Sequence, residues 1–221
     1  MTKKAFLFDL DGVIVDTAKY HFKAWQNLAE GLQIPFTQEQ NEQLKGVSRV
    51  RSLEKILEWG GKTISKPEFD RFLIEKNEEY LQFIETMKTS EILPDVPRVL
   101  DFLLEQDQAV GLGSASKNAR LILKKVQLYD KFQTIVDGTD VTKAKPDPEV
   151  FLIGARRLGI SPENCIVFED SVAGIQAANI ANMVSIGIGE KHILHEADYV
   201  FEDFTQIKTD FLNQLINTTY P

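Results

Sequence analysis

Short apolar runs alternate with helical patterns along most of this chain, and that alternation constrains its fold more than any other feature. The runs lack helical periodicity, and several are rich in β-branched or aromatic residues, as buried strands are; they span residues 5–10, 109–114, 134–137, 165–169, 183–188 and 198–201. Helical spacing occurs between the later runs, at residues 96–105, 118–126, 148–158 and 171–179. The pattern predicts an α/β fold, with a parallel, Rossmann-like sheet covered by helices on both faces.

The stretch between the first two predicted strands is different, because from about residue 17 to residue 86 it contains helical patterns only. Tyr20, Ala24 and Leu28, for example, fall on one helical stripe. Two prolines, Pro94 and Pro97, mark the return to the sheet. We therefore predict an α/β catalytic core made of residues 1–15 and 92–221, with a small helical domain, residues 16–91, inserted after the first strand.

The formal net charge of −8 makes nucleic acid and anionic membranes poor partners, because both are negatively charged. No apolar stretch approaches the length of a membrane span. Acidic residues at positions 9 and 11 interrupt the first apolar run too early for a signal peptide. A single cysteine cannot form an internal disulfide, which favours a reducing, cytoplasmic location. We expect a monomer, since no helical pattern leaves an unexplained apolar face.

Polar residues follow the predicted strands at the points where the strands end. In open α/β sheets the active site lies beyond the carboxyl ends of the strands. Parallel strands would therefore bring these residues to one edge of the sheet; in chain order they are Asp9, Asp11, Ser114, Lys145, Glu169 and Asp170.

This set of side chains suits phosphoryl transfer. Several carboxylates at one place favour a hard divalent cation such as Mg²⁺, which prefers oxygen ligands. Asp9, at a strand tip beside the metal, could attack phosphorus as a nucleophile, and Asp11 could act as the general acid and base. Lys145 and the Ser114 hydroxyl would neutralise and orient phosphate oxygens. The metal ion and Lys145 would offset the repulsion that an acidic protein exerts on phosphate esters.

Simpler explanations exist for each residue taken alone. Paired acids such as Asp9 and Asp11 are common in turns and helix caps. Asp170 and the serine after it could simply cap a helix, and Lys145 could lie in a solvated turn. We favour a catalytic site because the simpler explanations require independent coincidences at the ends of consecutive strands.

Competing motifs are missing from the sequence. It contains no G-x-x-x-x-G-K-[ST] loop for nucleoside triphosphates, and Gly111 and Gly113 lack the third glycine of a dinucleotide fingerprint. The three histidines show no zinc-like spacing. Cys165 begins a predicted strand, where a buried and inert thiol is expected.

The sequence from Asp9 to Thr17 resembles the first motif of the haloacid dehalogenase superfamily, and Ser114, Lys145 and the pair at 169–170 resemble the later three. The motifs are in the expected order and the resemblance covers essentially the whole chain. It implies a Mg²⁺-dependent enzyme with an α/β core and a helical cap. The second aspartate, Asp11, is typical of the phosphotransferases of the superfamily and is missing from its dehalogenases.

A closer resemblance is to the β-phosphoglucomutase family, through residues 41–49, His21, Trp25, Lys76 with the asparagine after it, and 114–118. It implies interconversion of β-D-glucose 1-phosphate and glucose 6-phosphate, with β-D-glucose 1,6-bisphosphate as phosphorylating activator and small sugar phosphates as the only partners. It implies Mg²⁺ ligands at Asp9, Asp11, Glu169 and Asp170 and catalytic roles for Asp9, Asp11, Ser114, Lys145, Thr17 and His21. Substrate contacts are implied for Trp25, Gly46, Val47, Ser48, Arg49, Ser52, Lys76, Ser116, Lys117 and Asn118.

Some of the cap residues have structural alternatives. Trp25 could pack in the core of the cap as well as border the site, and Lys76 could be a solvated helix lysine. Arg49 is the strongest candidate for the distal phosphate, because its guanidinium suits bidentate binding. Two residues depart from the pattern that the resemblance predicts. Arg51 stands where an acidic residue is expected, and we expect it to alter the attraction between cap and core. Gly113 stands where alanine is common, and we expect it to loosen the end of the second strand.

Two other functions compete with the mutase prediction. A sugar phosphatase would use the same catalytic residues, and residues 46–49 argue against it because mutases share this loop more closely. A non-catalytic sugar-phosphate sensor is the second alternative. The presence of both Asp9 and Asp11 argues against a sensor, since binding alone needs no acid or base.

Overall fold

The structure, a computed structural model, describes residues 3–218 and contains one six-stranded sheet. Its strands are β1 (Ala5–Phe8), β2 (Ala109–Gly113), β3 (Thr134–Val136), β4 (Cys165–Glu169), β5 (Val184–Ile188) and β6 (Tyr199–Phe201). They are ordered β3-β2-β1-β4-β5-β6 and every neighbouring pair is parallel. The predicted parallel α/β fold is therefore confirmed.

Helices lie between most of these strands along the chain, and a last helix follows β6. Within residues 3–218 they are α1 (Ala18–Gly31), α2 (Gln38–Glu42), α3 (Arg49–Trp59), α4 (Lys66–Glu85), α5 (Val96–Glu105), α6 (Ala119–Lys125), α7 (Glu149–Leu158), α8 (Val172–Ile180) and α9 (Thr209–Asn217). None of the helices among the described residues is long and apolar enough to cross a membrane.

The strands are mostly apolar because helices cover both faces of the sheet. Side chains alternate along a strand, so Phe6 and Phe8 enter one core cluster with α5, α6 and α9. Ala5 and Leu7 enter the opposite cluster with α7 and α8. Strands β1 to β5 are buried along their whole length, and this explains why their sequences show no alternation of polar and apolar residues.

Helices α1 to α4 form the insert between β1 and the rest of the sheet. Helices α1, α3 and α4 share a separate apolar cluster that includes Trp25, Leu53 and Ile56. The chain enters and leaves the insert side by side, because the Asp16 amide donates to the Glu91 carbonyl over 3.0 Å. The exact division into a core of residues 1–15 and 92–221 and an inserted domain of residues 16–91 stays a prediction.

The predicted boundaries differ slightly from the observed ones. The apolar runs at 5–10 and 109–114 extend past the ends of β1 and β2, because they include residues that have left the sheet to form the site. Gly113 is the last residue of β2 and is buried rather than loose. A methyl group added there would lie 2.8 Å from the Phe151 ring of α7.

We expect Gly113→Ala to lower the free energy of unfolding by about 1–3 kcal/mol, because the Phe151 ring must shift to admit the extra carbon. For a chain of this size that corresponds to a fall in melting temperature of roughly 2–4 °C per kcal/mol. Thermal unfolding followed by circular dichroism measures it. Gly31→Ala is the matched control, because Gly31 ends α1 with nothing within 4 Å of the new methyl group. Equal melting temperatures for the two variants would contradict the packing argument.

Candidate active site

The predicted residues at the carboxyl ends of the strands meet at one edge of the sheet. Asp9 follows β1, and its amide donates to the Phe168 carbonyl of β4 over 2.9 Å. The Lys145 ammonium lies 2.5 Å from Asp9 Oδ1 and 2.5 Å from Glu169 Oε1. These three side chains are at most 8% exposed. The parallel sheet therefore builds a buried group of one cation and two carboxylates.

Glu169 has both carboxylate oxygens occupied. Oε1 accepts from Lys145, and Oε2 accepts from the amide and the hydroxyl of Ser171, each over 2.8 Å. Gly174 of α8 leaves room for this carboxyl group, because a methyl group there would lie 1.9 Å from it. Ser171 also caps α8 through the Gly174 amide. The capping alternative therefore holds for Ser171, whereas Asp170 points elsewhere.

Asp170 faces a cation from the insert. Lys45 Nζ lies 3.0 Å from Asp170 Oδ2 and 2.9 Å from Glu42 Oε2. The sequence did not single out Lys45, because a lone loop lysine 125 positions from its partner gives no signal of its own. The only signal for this contact in the sequence is the family resemblance of the neighbouring residues 46–49, which predicts that this loop reaches the site.

The site holds more negative than positive charge. Burial raises the pKa of Asp9 well above its usual range in spite of the attraction of Lys145, and repulsion from Glu169 adds to the increase. Burial likewise raises the pKa of Asp170 to about 7, although Lys45 opposes the change. Asp9, Asp11, Glu169 and Asp170 carry four potential negative charges against the two positive charges of Lys45 and Lys145. A divalent cation would balance the difference.

The donor set fits a hard divalent cation, because every surplus ligand is a carboxylate oxygen. Gly12 bends the chain with φ of +83°, and a methyl group there would touch the Asp170 carboxylate, so Asp170 lies against the 9–12 loop. Within residues 3–218 no three acidic, histidine or cysteine side chains are arranged to hold an ion as they stand. Lys45 Nζ already contacts Asp170 Oδ2, an oxygen that could otherwise bind such an ion.

Asp11 is held by a different set of neighbours. The Thr17 hydroxyl donates a short hydrogen bond to Asp11 Oδ1, and His21 Nε2 lies 3.7 Å from the same oxygen. Burial raises the pKa of the Asp11 carboxyl, although the Thr17 hydrogen bond opposes the increase. Asp11 is thus turned toward the insert.

His21 and Lys76 form a buried pair on the insert side. Lys76 Nζ lies 2.9 Å from His21 Nδ1 and 4.7 Å from the centres of the Trp25 and Tyr80 rings. Burial lowers the pKa of His21 well below its usual range, and Lys76 lowers it further. A neutral His21 accepts from Lys76 at Nδ1 and so presents its Nε2–H to Asp11. The solvated alternative for Lys76 is wrong, because this side chain is 3% exposed.

A cavity of about 400 Å³ lies between the insert and the sheet edge. Most of the predicted site residues line it: Asp9, Asp11, His21, Trp25, Gly46, Val47, Ser48, Arg49, Ser52, Lys76, Ser114, Ser116, Lys117, Asn118, Lys145 and Asp170. Thr17 and Glu169 lie behind the lining. Trp25 also belongs to the apolar cluster of the insert, so it both packs and borders the cavity.

The two ends of the cavity differ in the groups that they offer. At the sheet end the Ser114 hydroxyl oxygen accepts from the Ser116 amide over 3.0 Å, which leaves its proton free to donate. At the insert end Arg49 contacts the Leu73 carbonyl over 3.5 Å, and no carboxylate among the described residues pairs with it. Arg51 instead pairs with Glu54 and Glu58 on its own helix.

Known proteins match this chain along nearly its whole length. A haloacid dehalogenase-like hydrolase family model matches residues 3–182. The β-phosphoglucomutase of Bacillus subtilis (strain 168) is 40% identical over 213 residues, which cover 96% of this chain and 94% of that protein. The crystal structure of β-phosphoglucomutase from Clostridium difficile superposes with a TM-score of 0.93 at 41% identity, covering 98% of both chains.

A relative that is named as a phosphatase is also similar to this chain. The fructose-1-phosphate phosphatase YqaB of Escherichia coli (strain K12) is 32% identical over 182 residues, covering 82% of this chain and 94% of that protein. The fold and the matches define an α/β enzyme with a helical insert after its first strand. The chain belongs to the haloacid dehalogenase-like hydrolase family, and the resemblance to its β-phosphoglucomutases is confirmed.

The buried ammonium of Lys76 predicts a pH-dependent stability. Burial and the nearby Arg49 lower its pKa to about 7 in the folded protein, whereas an unfolded lysine keeps its proton up to about pH 10.4. The unfolded state then binds more protons between these values, so the Lys76 contribution to stability rises with pH over that range. Lys76→Met should therefore raise the melting temperature more at pH 6 than at pH 9.

Melting temperatures of both proteins at the two pH values measure this difference. Lys62→Met is the matched control, because Lys62 is exposed and remote from the cavity lining. If Lys76→Met raises the melting temperature equally at pH 6 and pH 9, the pKa of Lys76 is not lowered in the folded protein.

Proposed function

We propose that this enzyme is a phosphomutase that interconverts β-D-glucose 1-phosphate and glucose 6-phosphate through a phosphoaspartate and a β-D-glucose 1,6-bisphosphate intermediate. One observation carries the proposal: the cavity offers a phosphate-binding group at each end, Lys145 with Ser114 at the sheet and Arg49 on the insert. A bisphosphate needs both ends at once. The names of the Bacillus subtilis and Clostridium difficile relatives support the same activity.

Asp9 is the nucleophile in this proposal. Its Oδ1 bonds Lys145 and its Oδ2 accepts from the Asp11 amide over 2.9 Å, so the carboxylate is fixed at the strand tip. Attack of a carboxylate oxygen on the phosphate of the bisphosphate forms the phosphoaspartate and releases a sugar hydroxyl. Lys145 and the Ser114 hydroxyl then stabilise the charge on the phosphoryl oxygens.

Asp11 is the general acid and base. Its raised pKa favours retention of a proton that it can give to the leaving sugar oxygen. In the reverse transfer it accepts the proton of the attacking hydroxyl. The Thr17 hydroxyl holds the carboxyl group on the insert side of Asp9, and His21 Nε2 lies 3.7 Å from the same oxygen. The remaining predicted residues, including Trp25, Ser116, Lys117 and Asn118, are proposed to contact the sugar phosphate.

A magnesium ion is proposed at the carboxylate cluster, with Asp9, Asp11 and Asp170 as ligands and Glu169 beside them. When bound it neutralises the surplus carboxylate charge and the charge of the transferring phosphate. Glu169 acts chiefly through Lys145, because its oxygens already have partners. The cytoplasmic location and the monomeric state stay predictions. Cys165 is buried, and burial raises the pKa of its thiol to about 12, as expected for an inert thiol.

A coupled assay for glucose 6-phosphate tests the proposed activity. The wild-type enzyme should isomerise β-D-glucose 1-phosphate when traces of the 1,6-bisphosphate are present, and Asp9→Asn should lose activity on the order of 10⁴-fold or more. Arg49→Ala should shift the products from isomer toward free phosphate, because the cavity then lacks its second phosphate-binding end. Arg51→Ala is the matched control, since that guanidinium pairs within its own helix.

Release of phosphate by the wild-type enzyme without any isomer would favour the alternative function, a sugar phosphatase like the Escherichia coli relative. A third possibility, a non-catalytic sensor, would require binding of the sugar phosphate with no turnover at all. The phosphate and glucose 6-phosphate measurements on one sample therefore separate the three functions.

Lys45→Met should raise the affinity for Mg²⁺, because the lysine ammonium and the metal compete for the same Asp170 carboxylate. An increase of several-fold is expected in isothermal titration calorimetry without substrate. Lys55→Met is the control, because Lys55 bonds only the Gln43 carbonyl in the same region. An unchanged or weaker affinity in Lys45→Met would show that the ion pair does not oppose the metal.

A further inference from the structure

Tyr80 stands out among the buried polar side chains that neither the motifs nor the proposed chemistry explain. It lies on α4, is 1% exposed and borders the cavity. In the described part of the chain its hydroxyl is the one buried side-chain polar atom without a hydrogen-bond partner. A buried polar group without a partner is unfavourable, and native proteins contain few of them.

The ring of Tyr80 is fixed in place. The His21 ring stacks on it with 4.2 Å between centres and 27° between planes. The Lys76 ammonium lies 4.7 Å from its centre. Because both neighbours are themselves predicted site residues, the tyrosine cannot turn its hydroxyl toward solvent without disturbing the site.

The Tyr80 hydroxyl lies near Thr17 and near Asp11, the proposed general acid. It lies close enough to Thr17 and Asp11 to feel their dipole and charge, without a hydrogen bond of normal geometry to either. The Thr17 hydroxyl donates its proton to Asp11, and its oxygen can still accept a hydrogen bond from another donor. Tyr80 is therefore a donor placed beside an acceptor that has capacity left.

We propose that Tyr80 is a positioning residue of the phosphoryl-transfer reaction, whose hydroxyl donates to Thr17 when the cavity is filled and so completes a hydrogen-bond chain from Tyr80 through Thr17 to Asp11. This proposal rests on the proposed function. A donor behind Thr17 forces the threonine proton toward Asp11, and successive hydrogen bonds strengthen one another. The chain therefore fixes the carboxyl group that must exchange a proton with the sugar oxygen.

Tyr80→Phe tests the proposal, because it removes the hydroxyl and keeps the ring that packs on His21 and Lys76. We expect kcat for isomerisation to fall about 10-fold, the size of one good hydrogen bond, with KM unchanged within twofold. The melting temperature of the ligand-free protein should stay the same or rise, since no hydrogen bond is lost there. A merely structural tyrosine would lose activity and stability together.

Tyr20→Phe is the matched control and should show the opposite pattern. The Tyr20 hydroxyl donates to Glu91 Oε1 over 3.1 Å outside the cavity lining, and its ring stacks on Phe83. Its loss should lower the melting temperature slightly and leave kcat unchanged.

Three results would overturn the inference: an unchanged kcat in Tyr80→Phe, a fall in kcat matched by a fall in melting temperature, or a rise in KM alone. The last would assign the hydroxyl to substrate binding. The wild-type enzyme is assayed first, so that an absence of isomerisation contradicts the proposed function. Normal wild-type isomerisation with an unaffected Tyr80→Phe contradicts only this inference.

Discussion

The site depends on one buried ammonium group, that of Lys145, held between Asp9 and Glu169. Removing each of these charges from water costs several kcal/mol, and the cost is recovered only when the groups meet in good geometry. Asp9 follows β1, Glu169 ends β4, and Lys145 lies in the loop after β3. The strand order and register bring the three together, so the pairing of the charges and the correct assembly of the sheet require each other.

Opposite kinds of electrostatic strain lie at the two sides of the cavity. On the sheet side the pKa values of Asp9 and Asp170 are raised by burial and by repulsion from Glu169. On the insert side burial and a neighbouring cation lower the pKa of Lys76. A divalent cation would relieve the first strain and a phosphate ester would relieve the second. The proposed ligands thus carry the charges that the protein lacks at each side, which would let a chain with net charge −8 bind phosphate esters.

The sequence was sufficient for the fold and for the residues at the strand ends, because both follow from local patterns. Burial on both faces makes strands such as β1 continuously apolar, and the polar residue that ends the run marks the site. Contacts between the insert and the core could not be predicted in this way. The Lys45–Asp170 pair joins positions far apart in sequence. The orphaned hydroxyl of Tyr80 becomes visible only when its surroundings are packed, since a tyrosine on an amphipathic helix predicts no more than a core position.

In the proposed mechanism the core residues Asp9, Asp11 and Lys145 would serve isomerisation and hydrolysis alike, so we infer that the insert decides between the two reactions. The insert contacts the core through apolar packing, with Ala24, Tyr80 and Ile84 in the same cluster as Phe6 and Phe8. It also contacts the core through the Lys45–Asp170 pair and the hydrogen bond of 3.1 Å from Asn118 to Asn77. We infer that closure of the cavity at these contacts would exclude water from the proposed phosphoaspartate. A bisphosphate that must turn end for end also needs the cavity to open. Both polar contacts join residues that line the cavity, and the Lys45 and Asp170 side chains are only 26% and 8% exposed. In the proposed reaction these contacts would hold the insert closed during each transfer and would have to break between the two transfers.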